Sequence, residues 1–216
     1  MAIMATDTGG GGDFKPVPPG NHRGVCSMVV DLGNQRIQSQ QYGESVKHQV
    51  YVAWELPDEP IKWTDREGVE REGPMRIGKS YTLSLHENAN LRADLESWRG
   101  KPFTEDERKG FDIAKLAGAP ALINVAHKQG GNGKTYANVV AVTPLPKGME
   151  KPGCADGALV YDADNIAAFD RLPEWLQKKI QDQVVQKADD LPEQRGYKPG
   201  DEGYIADFDD ADSVPF

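Results

Sequence analysis

The stretch KHQVYVAWEL, residues 47–56, decides how this chain folds. In an extended strand Val50, Val52, Trp54 and Leu56 share one side, and Gln49, Tyr51, Ala53 and Glu55 share the other. A period of two with an apolar side belongs to a strand with one face on a core, so the first set is expected inside. A second run, MRIGKSYTLSL at residues 75–85, repeats the pattern with Tyr81, Leu83 and Leu85 against Ser80, Thr82 and Ser84. Upstream, HRGVCSMVVD at residues 22–31 is rich in valine and methionine and reads as the first strand. Gly24 and Gly78 interrupt these runs, and glycines inside strands mark bulges or tight bends of the kind that let a sheet close.

Working outward, residues 32–45 are polar and hold almost no apolar anchor, so they read as a long loop or irregular hairpin. A charged, glycine-bearing connection with Lys62, Trp63 and Arg66 joins the second strand to the third. The period then changes. Asn90 is a suitable helix cap, Leu91, Leu95 and Trp98 fall at helical spacing, and Gly100 ends the run. A second helical piece is expected over residues 106–116, stopping at Gly118 and Pro120. Residues 121–127 and 135–143 read as two further strands joined by KQGGNGK, with Pro144 and Pro146 closing the unit.

Three strands, a helical insertion and two more strands are the element order of an OB-fold, a five-stranded Greek-key barrel. The expectation is a mainly β chain: a flexible leader (1–13), this barrel (14–147), and a link carrying a short amphipathic helix (148–190). A disordered acidic tail (191–216) follows. In the link, residues 164–190 are helical in pattern, with Pro173 at a first turn and Leu176, Ile180 and Val184 forming a narrow stripe.

Charge is distributed unevenly. The chain of 216 residues has a net charge of −9. From Asp189 to Phe216 there are nine acidic and two basic residues, a net of −7. From Phe14 to Lys147 there are 18 basic and 16 acidic, a net of +2. The acidity therefore belongs mostly to the tail, and the remainder does not repel a polyanion.

Cys26 and Cys154 belong to no metal-binding spacing, and a reducing cytoplasm suits them. The leader lacks the pattern of a secretory signal, and no apolar run reaches the ~18 residues of a membrane span. No HExxH, GxSxG or P-loop occurs, and His22, His48, His86 and His127 are scattered over different strands. No catalytic residue, cofactor or metal site is expected.

Sequence-tolerant binding of single-stranded nucleic acid needs cations along a groove and flat rings on which bases stack. Tyr51 on the second face of its strand, Tyr42 and Trp63 in polar stretches and Tyr136 at the start of the last strand supply rings. Arg36, Lys47, Lys62, Arg66, Arg76, Lys79, Lys128 and Lys134 supply charge. Trp54 and Tyr81, aligned with aliphatic neighbours, are expected in the core.

The chain ends in DFDDADSVPF, an acidic peptide closed by an apolar plug with a free carboxylate. The barrel order followed by this ending resembles bacterial and bacteriophage single-stranded DNA-binding proteins, whose tails end in a DFDDDIPF-like peptide. The matching positions are Asp207, Phe208, Asp209, Asp210, Asp212, Val214, Pro215 and Phe216, with Ala211 and Ser213 interposed. The resemblance implies coating of exposed DNA in phage replication, recombination and repair within a bacterial cell, and recruitment of partner enzymes through the tail. It also implies that the tail competes with DNA for the basic groove, and self-association is compatible with it.

Two other readings stay open on the sequence. One is an acidic DNA mimic that occupies a host enzyme's nucleic-acid groove. The other is a metal-dependent nuclease or annealing enzyme using Asp31, Glu44 and Glu55. Under the leading reading, deleting Phe216 is expected to abolish recruitment of replication partners while leaving oligonucleotide binding intact; pull-down and titration of the two chains side by side check it.

Overall fold

The computed structural model describes residues 15–39, 43–64, 68–131 and 133–184. The tail peptide, Tyr42 and Arg66 lie outside them. Six strands, β1 (Gly20–Ser39), β2 (Gly43–Thr64), β3 (Glu70–Thr82), β4 (Pro120–Gln129), β5 (Thr135–Thr143) and β6 (Leu159–Tyr161), form one sheet. Five of them make a curled antiparallel half-barrel in the order β3-β2-β1-β4-β5. β6 pairs in parallel with β1 off that path.

β1 belongs to both halves of the curl. Its first residues, Gly20 to Val25, pair with β4, and from Val25 to Ser39 it pairs with β2. At the crossover a side chain on Gly24 would meet those of Ile123 and Leu56 and the Glu55 carbonyl at 3.1–3.3 Å. β2 and β4 can approach β1 this closely there because that space is left empty.

The alternation at residues 50–56 holds. Val50, Val52, Trp54 and Leu56 lie in a buried cluster with Cys26, Ile77, Tyr81 and Ile123. Cys26 is sealed in it, and burial pushes its thiol up to about 12. Between β3 and β4 the chain forms α1 (Asn90–Arg99), α2 (Glu105–Lys109) and a 3-10 turn at Ile113–Leu116. α1 buries Leu91, Leu95 and Trp98 and ends at Gly100 in the left-handed region. The Trp98 ring meets Trp54 edge-on at 5.7 Å, and its N–H donates to the Pro120 carbonyl. The cap expected at Asn90 falls on Ala89 without a side-chain bond, whereas Thr104 and Glu107 form a reciprocal capping box for α2. Glu96 accepts the Phe103 N–H and an Arg92 bond, which hold its carboxyl below the usual range. That stabilisation is present above the ordinary glutamate pKa and is lost as pH falls through the lowered value.

Three expectations change. Residues 32–45 are largely strand rather than loop: β1 runs on to Ser39 and β2 begins at Gly43. Lys62 and Trp63 sit in β2, paired with Glu72 and Arg71 of β3, rather than in a connection. β3 ends at Thr82, and Leu83 beyond it is exposed rather than in the core.

Residues 148–184, read from the sequence as a link with one helix, pack on the outer face of the sheet. β6, a 3-10 turn (Ile166–Arg171) and α3 (Glu174–Gln181) place Leu159, Ala168, Leu172, Leu176 and Ile180 over Met28, Val30, Leu32, Tyr51 and Ala53. Leu176 and Ile180 of the expected stripe thus cover their own sheet, whereas α3 is shorter than the expected helical stretch and Val184 lies beyond its end. Gln35 donates to the carbonyls of Leu32 and Lys179, and the Val184 N–H donates to Asn34, closing the polar ends of that contact. The central stretches of β1 and β2 are therefore apolar and covered on both faces. Leu176 has no exposed surface, so Leu176→Ala is expected to cost about 2–5 kcal/mol of stability, measured by urea unfolding.

Candidate nucleic-acid interface

Three two-stranded ribbons run out from the curled sheet. The β1–β2 ribbon (35–39 and 43–47) lies at the C-terminal end of β1. The β2–β3 ribbon (60–64 and 70–74) and the β4–β5 ribbon (126–129 and 135–138) run on past the end of β1 where Gly20 lies. Ribbons of this kind need no apolar period, because cross-strand hydrogen bonds and side-chain pairs carry them while both faces stay wet.

The two ribbons at the Gly20 end are rooted on the same short segment. His22 bonds Glu59 of β2 through Nδ1 at 3.1 Å and the Pro18 carbonyl through Nε2 at 2.8 Å. Arg23 grips Asp58 with two bonds, at 3.0 and 2.7 Å, and holds that carboxyl below its usual range. It also donates to the Glu150 carbonyl of the covering layer. On the other ribbon, His127 Nε2 meets the Val17 carbonyl at 2.8 Å.

The structure brings together five of the expected residues at this end. Lys62 and Trp63 lie on the β2–β3 ribbon, Lys128 pairs with Tyr136 across the β4–β5 ribbon, and Lys134 precedes β5. Trp63 is 47% exposed, the most open of the four tryptophans, since Trp54 and Trp98 are buried and Trp175 is half-buried. Directly across from it is Arg71, which the sequence reading missed. Only the register reveals that pair, since the two residues are eight positions apart in the sequence.

The other expected residues do not join them. Arg36 and Lys47 occupy the β1–β2 ribbon, where Arg36 donates to Glu44 at 2.8 Å. Arg36 stands ten residues from Cys26, roughly 33 Å along an extended strand. Arg76 and Lys79 leave β3 toward opposite faces. Lys79 is paired with Asp94 of α1 at 2.8 Å and lies over the Tyr81 ring.

Tyr51 requires a correction as a stacking ring. It is 4% exposed, with its edge against Trp175 of α3 at 5.1 Å. Its phenol fills the space over Gly78, where a side chain would collide with the Tyr51 oxygen. Burial pushes that phenol well above its ordinary pKa. The face was expected to meet solvent because it holds Gln49 and Glu55, but residues far along the chain cover it.

Arg76 has a partner of equal consequence. Glu55 is 1% exposed and takes bonds from Arg76 Nε and Nη2 at 3.0 and 2.6 Å, and from the Ala155 N–H at 3.0 Å. Arg76 also reaches Asp156 at 3.3 Å. This guanidinium neutralises a buried carboxylate and fixes the covering layer to the sheet.

The carboxylates considered for a metal site stand apart. Asp31 pairs with His48 at 2.6 Å, Glu44 with Arg36, and Glu55 with Arg76, at different register positions. Among the described residues no group of three or more His, Cys, Asp or Glu side chains is placed to hold a metal ion. Among those residues, too, no helix is long and apolar enough to cross a membrane. Neither a protein-family model nor a curated protein matches the chain.

Removing Arg76, itself 42% exposed, leaves the buried Glu55 carboxylate without its neutralising charge. Arg76→Met is expected to lower stability by about 3 kcal/mol, and the double change with Glu55→Gln is expected to recover part of the loss. Urea unfolding of the three variants checks both.

Proposed function

We propose that this chain is a non-enzymatic single-stranded DNA-binding protein with weak sequence preference, acting on exposed strands in phage replication and recombination inside a bacterial cell. An OB-fold is the fold proposed with this reading, and the pairing of β1 with β2 and β4, β2 with β3 and β4 with β5, with α1 between β3 and β4, supports it. One observation carries the functional step. Two ribbons rooted on one segment extend from one end of the sheet, bearing Trp63, Arg71 and Lys62 on the first and Lys128, Lys134 and Tyr136 on the second. Cations beside the exposed Trp63 ring and the half-buried Tyr136 ring, on extended supports, suit a flexible polyanion with unstacked bases, where sequence is tolerated because every base has a flat face.

The terminal peptide from Asp207 to Phe216 gives the second half of the reading. Its aspartates would be steered by a partner's cations, and the Phe216 ring and carboxylate would enter an apolar pocket with a basic rim. Replication and recombination proteins are the partners proposed for it, and in their absence the tail competes with DNA for the ribbon cations.

Titration of a fluorescent oligo-dT tests the reading. Binding is expected at low salt, falling as salt rises with a logarithmic slope of about −0.7 per phosphate contacted. A chain ending at Ala188 retains every described residue and is expected to bind more tightly than the full chain. Absence of binding by both chains at low salt would overturn the proposal, while equal affinities would remove only the competing tail.

A further inference from the structure

The Trp63 indole rests on the opposite strand, at a position without a side chain. In the β2–β3 ribbon Ile61 pairs with Gly73, Lys62 with Glu72 and Trp63 with Arg71. Trp63 therefore reaches Gly73 diagonally, two residues along the partner strand from its own pair. A Cβ on Gly73 would stand 3.2 Å from Cη2 and 3.4 Å from Cζ3 of the indole. The benzo ring lies closer than a side chain at this position would ordinarily allow, so that even a Cβ would push it outward by a few tenths of an ångström. Ile61, on the same pleat as Trp63, packs against the buried cluster, so the root of this face is fixed by the core while the ring above it stays about half exposed.

We infer that Gly73 is a positioning residue: by having no side chain it seats the Trp63 indole against the ribbon, leaving the outer ring face, with Arg71 alongside, set to stack one base of single-stranded DNA. This rests on the function proposed above and adds how one contact is organised. An exposed tryptophan normally samples several rotamers, and fixing it on binding costs entropy. A ring already lying on the strand has less freedom to lose. Glycine inside a strand is unfavourable by itself, since it lacks a packing side chain and gains backbone freedom in the unfolded chain. A valine would suit the strand better. Covering of a glycine by a diagonal aromatic also stabilises a ribbon. A purely structural role and a positioning role therefore predict different things.

The test uses the full chain and oligo-dT, with acrylamide quenching of tryptophan emission and thermal unfolding followed in parallel. In the wild type, the oligonucleotide is expected to shield the exposed tryptophan from acrylamide. Trp63→Ala is expected to remove that shielding and weaken binding about tenfold, and Trp63→Tyr to restore most of the affinity. Gly73→Val, which lifts the ring from its seat, is expected to raise quenching in the free protein and weaken binding by a similar factor without lowering the melting temperature. The double variant Trp63→Ala with Gly73→Val is expected to bind no more weakly than Trp63→Ala alone. Gly73→Ala, a milder intrusion, is expected to fall between wild type and Gly73→Val and serves if the valine variant fails to fold.

Wild-type affinity in Gly73→Val together with increased quenching would overturn the positioning role. Wild-type affinity in Trp63→Ala would overturn the stacking contact while leaving DNA binding itself in place. Failure of the wild-type chain to bind the oligonucleotide would overturn the function on which the inference depends, and the inference with it.

Discussion

A carboxylate removed from water must be met by charge and by N–H donors, and that constraint at Glu55 organises much of this molecule. Arg76 from the next strand supplies the charge, and the Ala155 N–H supplies a bond from a segment one hundred residues away. The chain after β5 is thereby made to cross the sheet at one place. From there β6 and α3 continue over Met28, Val30, Tyr51 and Ala53, converting a half-barrel with one bare apolar side into a sheet covered on both. The pair acts together with the β6–β1 ladder and the bonds of Gln35 to Lys179 and Val184 to Asn34 in setting the register of this layer.

Other cations are committed to carboxylates too: Arg76 to Glu55, Lys79 to Asp94, Arg23 to the half-exposed Asp58 and, on the ribbon itself, Lys62 to Glu72 at 3.6 Å. A basic side chain in the sequence is therefore a poor guide to a basic surface. What distinguishes the ribbon residues is the architecture beneath them: extended strands that have left the core and keep side chains at fixed intervals on both faces.

The alternation of Val50, Val52, Trp54 and Leu56 and the helical spacing of Leu91, Leu95 and Trp98 were legible because each pattern reports contact with a core. The length of the ribbons was not, since a wet two-stranded ribbon imposes no apolar period, and polar residues 32–45 look alike as loop or strand. The second covered face was half visible in retrospect: Met28, Val30 and Leu32 make β1 apolar on both sides, as strands buried on both faces are. Its cover, however, comes from Leu159 to Ile180, and a local window cannot join the two. Of the candidate interface, Trp63 and Lys62 were readable as residue types. Arg71 and Gly73 acquire meaning only from register, because their relation to Trp63 is set by the pairing of β2 with β3.

Arg23 joins the root of the β2–β3 ribbon to both the sheet and the covering layer, through Asp58 and Glu150. In mechanical terms that clamp ties three layers at one point: a load on Lys62 or Trp63 is led, through Arg23, into the sheet and the covering layer at once.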